Sequence, residues 1–108
     1  MDFEMISRHM ELTPAISDHL EVKADNLAKF FDRIHDLKAV ITPEGVGNNV
    51  EFIAHLVKGD VVVAKAFATD VFAAIDSAHD KLEEQLRRYK EKLREHRVKE
   101  ETRGEAGA

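Results

Sequence analysis

The last third of the chain carries the feature that most restricts its fold, a run of apolar residues at helical spacing. The successive steps are 4, 3, 4, 4, 3 and 4 residues: Val71, Ile75, Ala78, Leu82, Leu86, Tyr89 and Leu93. This spacing predicts a helix of about six turns with one apolar side, which has to be buried against a second layer. Asp70 or Thr69 is expected to cap its first turn. After Leu93 the pattern ends, because His96 and Glu100 take the next positions.

An earlier segment has the same period and a clear start signal. In "LTPAIS", Thr13 suits the cap position and Pro14 suits the first helical position. Apolar residues then recur three or four positions apart: Ile16, Leu20, Ala24, Leu27 and Phe31. The pattern predicts a first helix over residues 14–31.

Four other segments favour strands. Residues 2–8 begin with alternating polar and apolar side chains, and residues 34–42 form a second strand-like run. The runs "VEFIAHLV" and "VVVAKAFA" flank Lys58-Gly59-Asp60, which suits a hairpin turn between antiparallel strands. The stretch "PEGVGNN", residues 43–49, predicts a turn because Pro, Gly and Asn favour turns.

The predicted order of elements is therefore β-α-β-β-β-α. We expect an α+β fold with a single four-stranded sheet and both helices packed on one face. Because the chain has 108 residues, it has room for one core. Residues 1–96 are expected to form that domain. Residues 97–108 have no apolar pattern and are expected to form a flexible charged tail.

The composition favours a cytoplasmic protein. The chain has no cysteine, whereas small secreted domains often depend on disulfides. Its first residues, "MDFEMISRH", lack the basic start and apolar run of a signal peptide. No apolar stretch approaches the roughly 20 residues of a membrane-spanning helix.

Positive charge is concentrated late in an acidic chain whose formal net charge is −5. Residues 1–80 hold 7 basic and 14 acidic residues, a balance of −7, whereas residues 81–108 hold 9 and 7, a balance of +2. Local fields govern the binding of polyanions more than average charge does. The net charge therefore does not exclude nucleic acid as a partner.

The basic residues of the closing helix fall on two sides of its apolar stripe when they are placed 100° apart. One side holds Arg87, Lys90, Arg94 and Arg97. The other side holds Lys81, Arg88, Lys92 and Lys99. Glu84, Glu91 and Glu95 lie between them on the outer side. Two interpretations stay open from this pattern, a solvated helix surface and a surface that binds a polyanion.

Two stretches of the sequence resemble a known family. "RHMELTPAISDHLEVKADNLAKFFD" and "TDVFAAIDSAHDKLEEQLRRYKEKLREH" are similar to the ribosome hibernation-promoting factors. That family includes the ribosome-associated inhibitors and proteins named as sigma-54 modulation proteins. The resemblance extends over residues 2–96, includes the element order and is to the short type of the family.

The resemblance implies a non-enzymatic factor of the stress response that regulates translation. Such factors bind the small ribosomal subunit in the channel used by tRNA and mRNA, where basic residues of both helices meet rRNA phosphates. The matching positions are Arg8, Lys23, Lys29, Lys81, Arg87, Arg88, Lys90, Lys92 and Arg94. At Glu84 the chain is acidic where many relatives are basic, which predicts weaker rRNA binding.

The third and fourth strands predict a second surface. Alternation assigns one side to the helices, with Phe52, Leu56, Ala64 and Ala66. The open side then holds Ile53, Val57, Val61, Val63 and Phe67. So many apolar groups on an open sheet suggest a homodimer through this face, although ordinary surface apolarity also explains them. The alternative function is therefore a dimeric protein-interaction regulator with weak or no RNA binding.

No cofactor, metal or small-molecule substrate is expected. The six histidines form no H-x-x-x-H pair and are interpreted as surface residues: His9, His19, His35, His55, His79 and His96. Asp76 and Asp80 lie one turn apart and are interpreted as acids that suit a helix N-terminus. No combination of Ser, His and Asp suggests a nucleophile, so the chain is not expected to be an enzyme.

Overall fold

A computed structural model of the chain describes the backbone of residues 1–107 and the side chains of residues 1–94. Its elements are β1 (Asp2–Ser7), α1 (Pro14–Phe30), β2 (Ile34–Glu44), β3 (Gly47–Leu56), β4 (Val61–Ala68) and α2 (Val71–Gly107). The order of elements, the four-stranded sheet and the α+β class confirm the predicted fold. The flexible tail expected over residues 97–108 lies outside the described side chains and stays a prediction, as does the domain boundary at residue 96.

The sheet has the strand order β1-β2-β3-β4 and is mixed. β1 pairs with β2 in parallel, whereas the other two pairs are antiparallel. A parallel pair needs a crossover, and α1 provides it. Because β1 and β4 run in the same direction, the helices that follow them also run side by side in one direction. α1 covers β1 and β2, and α2 covers β3 and β4.

The core lies between the helix layer and one side of the sheet. The helices bury Ile16, Leu20, Ala24, Leu27, Ala74, Ile75, Ala78, Leu82 and Leu86. The facing side of β3 and β4 buries Val50, Phe52, Ala54, Leu56, Ala64 and Ala66, as the alternation indicated. Ala64 and Ala66 are small, so α2 can approach β4 closely. Neither helix in the described part of the chain has the length and apolar character needed to cross a membrane.

Both helices begin at the predicted caps. The hydroxyl of Thr13 accepts a hydrogen bond from the Ile16 amide at 3.3 Å. The carboxylate of Asp70 accepts from the Phe72 amide at 3.2 Å. These side chains satisfy amides that have no partner inside the helix, which fixes where each helix starts.

The turn predicted over residues 43–49 is wrong in extent. Only Gly45 and Val46 lie between the strands, and Gly45 has a positive φ of 57°, which glycine adopts without strain in a two-residue hairpin loop. Pro43 belongs to β2. It is tolerated there because β1 ends opposite Ile41, so one side of β2 is unpaired at Pro43.

Gly47 is the first residue of β3, and its backbone lies directly against the end of β4. A Cβ atom at this position would come within 2.6 Å of both the Ala68 carbonyl oxygen and the Phe67 ring. Gly47 is therefore required for close packing and does not mark a turn.

Two side chains of α2 reach over the outer edge of β4. The Gln85 amide donates to the Val63 carbonyl oxygen at 2.9 Å, and the Lys81 ammonium donates to the Lys65 carbonyl oxygen at 3.1 Å. These hydrogen bonds fix the position of α2 relative to the strand beneath it.

Candidate nucleic-acid interface

The first half of α2 is joined to α1 by a carboxylate. His19 Nε2 lies 2.6 Å from Asp76 Oδ1, and Lys23 Nζ lies 3.3 Å from the same oxygen. Burial raises the pKa of Asp76, but the hydrogen bonds from His19 and Lys23 outweigh it, so the net pKa lies below its usual value. The structure therefore places Lys23 between the two helices, where the Asp76 carboxylate partly neutralises the positive charge of Lys23.

His79 is a second link between the helices. Its ring is buried, with Nε2 2.9 Å from Asn26 Oδ1 and Nδ1 3.0 Å from Asp80 Oδ1. Glu83 lies 3.7 Å from Nε2. The interpretation of His79 as a surface histidine is wrong. The reason is that its partner Asn26 comes from α1, which no pattern within α2 reveals.

The acids of the first half of α2 therefore make specific contacts. Asp76 accepts from α1, and Asp80 contacts the ring of His79. The sequence predicted only that these acids favour a helix N-terminus, and it did not predict their contacts with His19 and His79. No group of three potential metal ligands occurs among the residues that the structure describes.

One basic side of α2 faces α1. The Lys90 ammonium donates to the Phe30 carbonyl oxygen at 3.2 Å and lies 5.2 Å from the centre of the Phe30 ring. The Arg87 guanidinium donates to Glu84 at 2.8 Å and lies 3.6 Å from Glu83. This side leans toward the end of α1, as the helical wheel indicated.

The other basic side of α2 faces β4. Lys81 is held at the strand edge, and Arg88 and Lys92 line a groove with Tyr89 and the side chain of Val62. The guanidinium of Arg88 lies 3.5 Å from Glu84. Glu84 is thus within 4 Å of an arginine from each basic side, and it lowers the net positive charge that α2 presents there.

Of the predicted RNA-binding residues on the helices, three are exposed and make neither an ion pair within 4.0 Å nor a side-chain hydrogen bond among the described side chains. They are Lys29 at the end of α1 and Lys92 and Arg94 on α2. Arg97 and Lys99 of the predicted stripes lie beyond the described side chains. Lys92 and Arg94 therefore extend the exposed basic surface along α2.

Arg33 is a basic residue that the predicted set omitted. It follows α1 and lines one cleft together with Lys90 and Arg94. No helical period includes Arg33, because it lies in the connection between α1 and β2. Only the contact between this connection and α2 brings the three cations together.

Arg8 lies apart from the helices. It follows β1, its amide donates to the Ile41 carbonyl oxygen at 2.9 Å, and its side chain lines a depression on the open side of the sheet with Glu51 and Lys65. The structure therefore brings the helical residues of the predicted set together and separates Arg8 from them.

The predicted dimer face is on the open side of the sheet. Val57, Val61, Val63 and Phe67 are 64%, 53%, 43% and 51% exposed, and Ile53 is half-buried. Ile53 pairs with Val63 across the two strands, next to a second pair, Glu51 and Lys65. The alternation therefore identified the open side correctly.

A four-stranded sheet covered on one face by two side-by-side helices, with basic residues on both flanks of α2, places the chain among small α+β proteins with a cationic helix surface. A family model described as "Sigma 54 modulation protein / S30EA ribosomal protein" matches residues 3–94, and the chain belongs to this family. Its members are ribosome-associated factors and not enzymes, which confirms the prediction on both the family and the absence of enzymatic activity.

Curated relatives agree with this membership. The ribosome hibernation promoting factor of Klebsiella oxytoca is 36% identical over 96 residues, which cover 89% of this chain and 100% of the relative. The factor of the same name from Azotobacter vinelandii is 37% identical over 92 residues, covering 85% of each chain.

Solved structures share the fold. The N-terminal domain of Thermus thermophilus Protein Y superposes with a TM-score of 0.73 at 33% identity, covering 82% of this chain and 99% of that one. A ribosomal subunit interface protein from Coxiella burnetii has a TM-score of 0.75 at 25% identity, covering 83% and 98%.

Proposed function

We propose that this chain is a cytoplasmic ribosome hibernation factor that docks on rRNA of the small subunit through its helices and excludes tRNA and mRNA. The observation behind it is the cationic surface of α2 from Arg87 to Arg94, which flanks the helix on both sides. Relatives named as ribosome hibernation promoting factors support the ribosome as the partner.

The mechanism is electrostatic docking followed by steric exclusion. Guanidinium and ammonium groups on a packed helix are held at fixed spacing, so they can contact several phosphates with little further loss of conformational entropy. Structured RNA is recognised largely by its shape and backbone, so no base-specific pocket is needed. Once docked, the domain occupies space that tRNA or mRNA would otherwise use.

Cosedimentation with purified small ribosomal subunits tests the proposal. We expect binding at low salt that weakens steeply as salt increases, because phosphate contacts release counterions. Replacing Arg87, Arg88, Lys90 and Lys92 with Glu should abolish binding. Unchanged binding of that variant would overturn docking through α2.

Two double variants with equal charge changes distinguish the effect of where a charge lies from the effect of net charge on binding. Arg88→Glu with Lys92→Glu changes the charge by the same amount as Lys38→Glu with Lys65→Glu. These two lysines lie on the open sheet side, where Lys38 pairs with Ile53 and Lys65 pairs with Glu51. We expect only the first double variant to lose binding. Equal loss in both would show that net charge, and not the helix surface, determines affinity. Competition with tRNA then tests occlusion.

A homodimer through the open sheet face is the second candidate, and it would make the chain a protein-interaction regulator. The exposure of Val61, Val63 and Phe67 favours it. A second copy suits this face because Glu51 and Lys65 provide both signs of charge beside the apolar strip. Light scattering that shows a monomer at high micromolar concentration would exclude this candidate, and a salt-insensitive dimer would support it.

A further inference from the structure

A cleft of about 220 Å³ lies where the end of α1 faces the middle of α2. Its lining consists of Phe31, Asp32, Arg33, Lys90, Leu93 and Arg94. Three of these side chains are cationic and one is acidic, so the formal charge that residues 1–94 give the lining is 3 − 1 = +2. The cleft therefore suits an anion in spite of the net negative charge of the chain.

The cations of this cleft come from two different elements. Arg33 lies in the connection after α1, whereas Lys90 and Arg94 lie one turn apart on α2. Arg33 and Arg94 form no ion pair within 4.0 Å among the side chains of residues 1–94. The ammonium of Lys90 donates one hydrogen bond to Phe30 and has two further protons to donate.

The floor of the cleft is fixed by packing. Phe31 is buried, and its ring meets the Tyr89 ring edge-to-face at 5.9 Å. The Tyr89 hydroxyl donates to Asp60 at 2.7 Å, and the Arg33 carbonyl oxygen accepts from the Val57 amide at 2.9 Å. The connection that positions Arg33 is thereby tied to the turn between β3 and β4.

We propose that this cleft seats one phosphate group of the bound RNA backbone and that Arg33 is a binding residue. The inference rests on the proposed function, because the cleft continues the basic side of α2 that faces α1. A phosphate has several acceptor oxygens, so donors that approach from two elements can bind it together, and the guanidinium of Arg33 offers paired donors. The carboxylate of Asp32 also lines the cleft, and its negative charge repels a bound anion.

Amide NMR of the whole chain tests the cleft without the ribosome. Titration with dimethyl phosphate, a phosphodiester, should shift the amides of residues 31–33 and 90–94, and the shifts should be lost in Arg33→Gln. Absence of localised shifts in the wild-type chain would overturn the site. Shifts with inorganic phosphate but not with the diester would overturn an RNA backbone ligand and indicate a free phosphate-bearing molecule.

Binding to small ribosomal subunits tests the role of the cleft. Arg33→Gln should weaken binding about tenfold, as expected for a lost charge-assisted contact. The slope of log affinity against log salt should fall by about 0.7–0.9, the value for one phosphate. Arg33→Lys should keep part of the affinity, and Lys65→Gln, which removes the same charge from the open sheet side, should keep all of it.

Asp32→Asn gives a test of opposite sign. It removes the one acidic group that residues 1–94 contribute to the cleft lining, so subunit binding should become stronger by about threefold, because in water a like charge roughly 6 Å from a bound phosphate weakens binding by about that factor. Unchanged or weaker binding would contradict the anion site. A gain in affinity is a result that damage to the fold does not produce.

The two proposals fail in different ways. If the wild-type chain does not bind small subunits but the NMR titration succeeds, the proposed function fails and the phosphate site stands. If the wild-type chain binds and Arg33→Gln binds as well as Lys65→Gln, the cleft fails and the proposed function stands.

Discussion

The two halves of α2 use the same kinds of polar residue for different purposes. Up to Leu86, polar side chains make contacts inside the molecule: Asp76 with α1, His79 with Asn26, and Gln85 with the edge of β4. From Arg87 to Arg94 the cations border open grooves and solvent. A single helix can thus be anchored by one half and leave the cations of the other half accessible for the proposed RNA contacts.

The largest effect is expected from a cavity in the anchoring half of α2, residues 71–86. Leu82→Ala should lower the free energy of unfolding by about 2–5 kcal/mol, because Leu82 is fully buried and its loss leaves a cavity. Urea denaturation followed by circular dichroism measures the change. The folded protein should still bind small subunits.

Lys92→Ala is the counterpart in the binding half. Because Lys92 is exposed, stability should change by no more than about 0.5 kcal/mol, while subunit binding weakens. If the two variants affected stability equally, the division of α2 into an anchoring half and a binding half would be wrong.

Glu84 lies near the boundary between the two halves of α2, and its substitution should change subunit affinity by an intermediate amount. Glu84→Gln removes the carboxylate that pairs with Arg87 and Arg88, so its charge no longer offsets theirs or repels a phosphate, and subunit binding should strengthen about threefold or more. Affinity measured at two salt concentrations checks this. Glu51→Gln, which removes one negative charge on the open sheet side, should leave the affinity unchanged, and an equal gain there would assign the effect to net charge.

Asp76 should give the smallest effect, and it depends on pH. The pKa of Asp76 lies below the usual value of 3.8, so its contribution to stability is present above that pH and is lost as the pH falls through the lower, folded-state value. Asp76→Asn should cost about 0.5 kcal/mol at pH 7, because the carboxylate is half-exposed.

Thermal unfolding at pH 7 and under strongly acidic conditions tests this expectation. The difference between Asp76→Asn and the wild-type chain should disappear in acid, where the carboxylate is protonated in both folded and unfolded protein. Asp25→Asn, on the exposed side of α1, is the matched control and should show no pH-dependent difference. A difference that persists in acid would contradict the role assigned to the ion pair.

The fold was predictable because its signals are local and repeated. The α2 stripe from Val71 to Leu93 and the alternation in β3 and β4 each report which side meets the core. The turn over residues 43–49 was predicted too long because Gly47 serves close packing against Ala68, a contact between segments 21 residues apart that no local preference reveals.

The candidate site was predictable in charge but not in pairing. The helical period sorted the cations up to Arg94 correctly onto two sides of α2. It did not show that Asp76 contacts Lys23 or that Arg33 lines the same cleft as Lys90, because each arrangement brings together elements that are distant in sequence. Such contacts depend on the helix–helix approach, which is a property of the folded chain.

The hydrogen bonds from Lys81 and Gln85 have a consequence for how the molecule meets copies of itself. An outermost strand whose carbonyl oxygens are free is a template on which another chain can continue the sheet, and such growth leads to aggregates. In this molecule two central carbonyl oxygens of β4 are already occupied by side chains of α2. The sheet is therefore blocked against extension at that strand, and two copies would have to meet by some route other than adding strand to strand there.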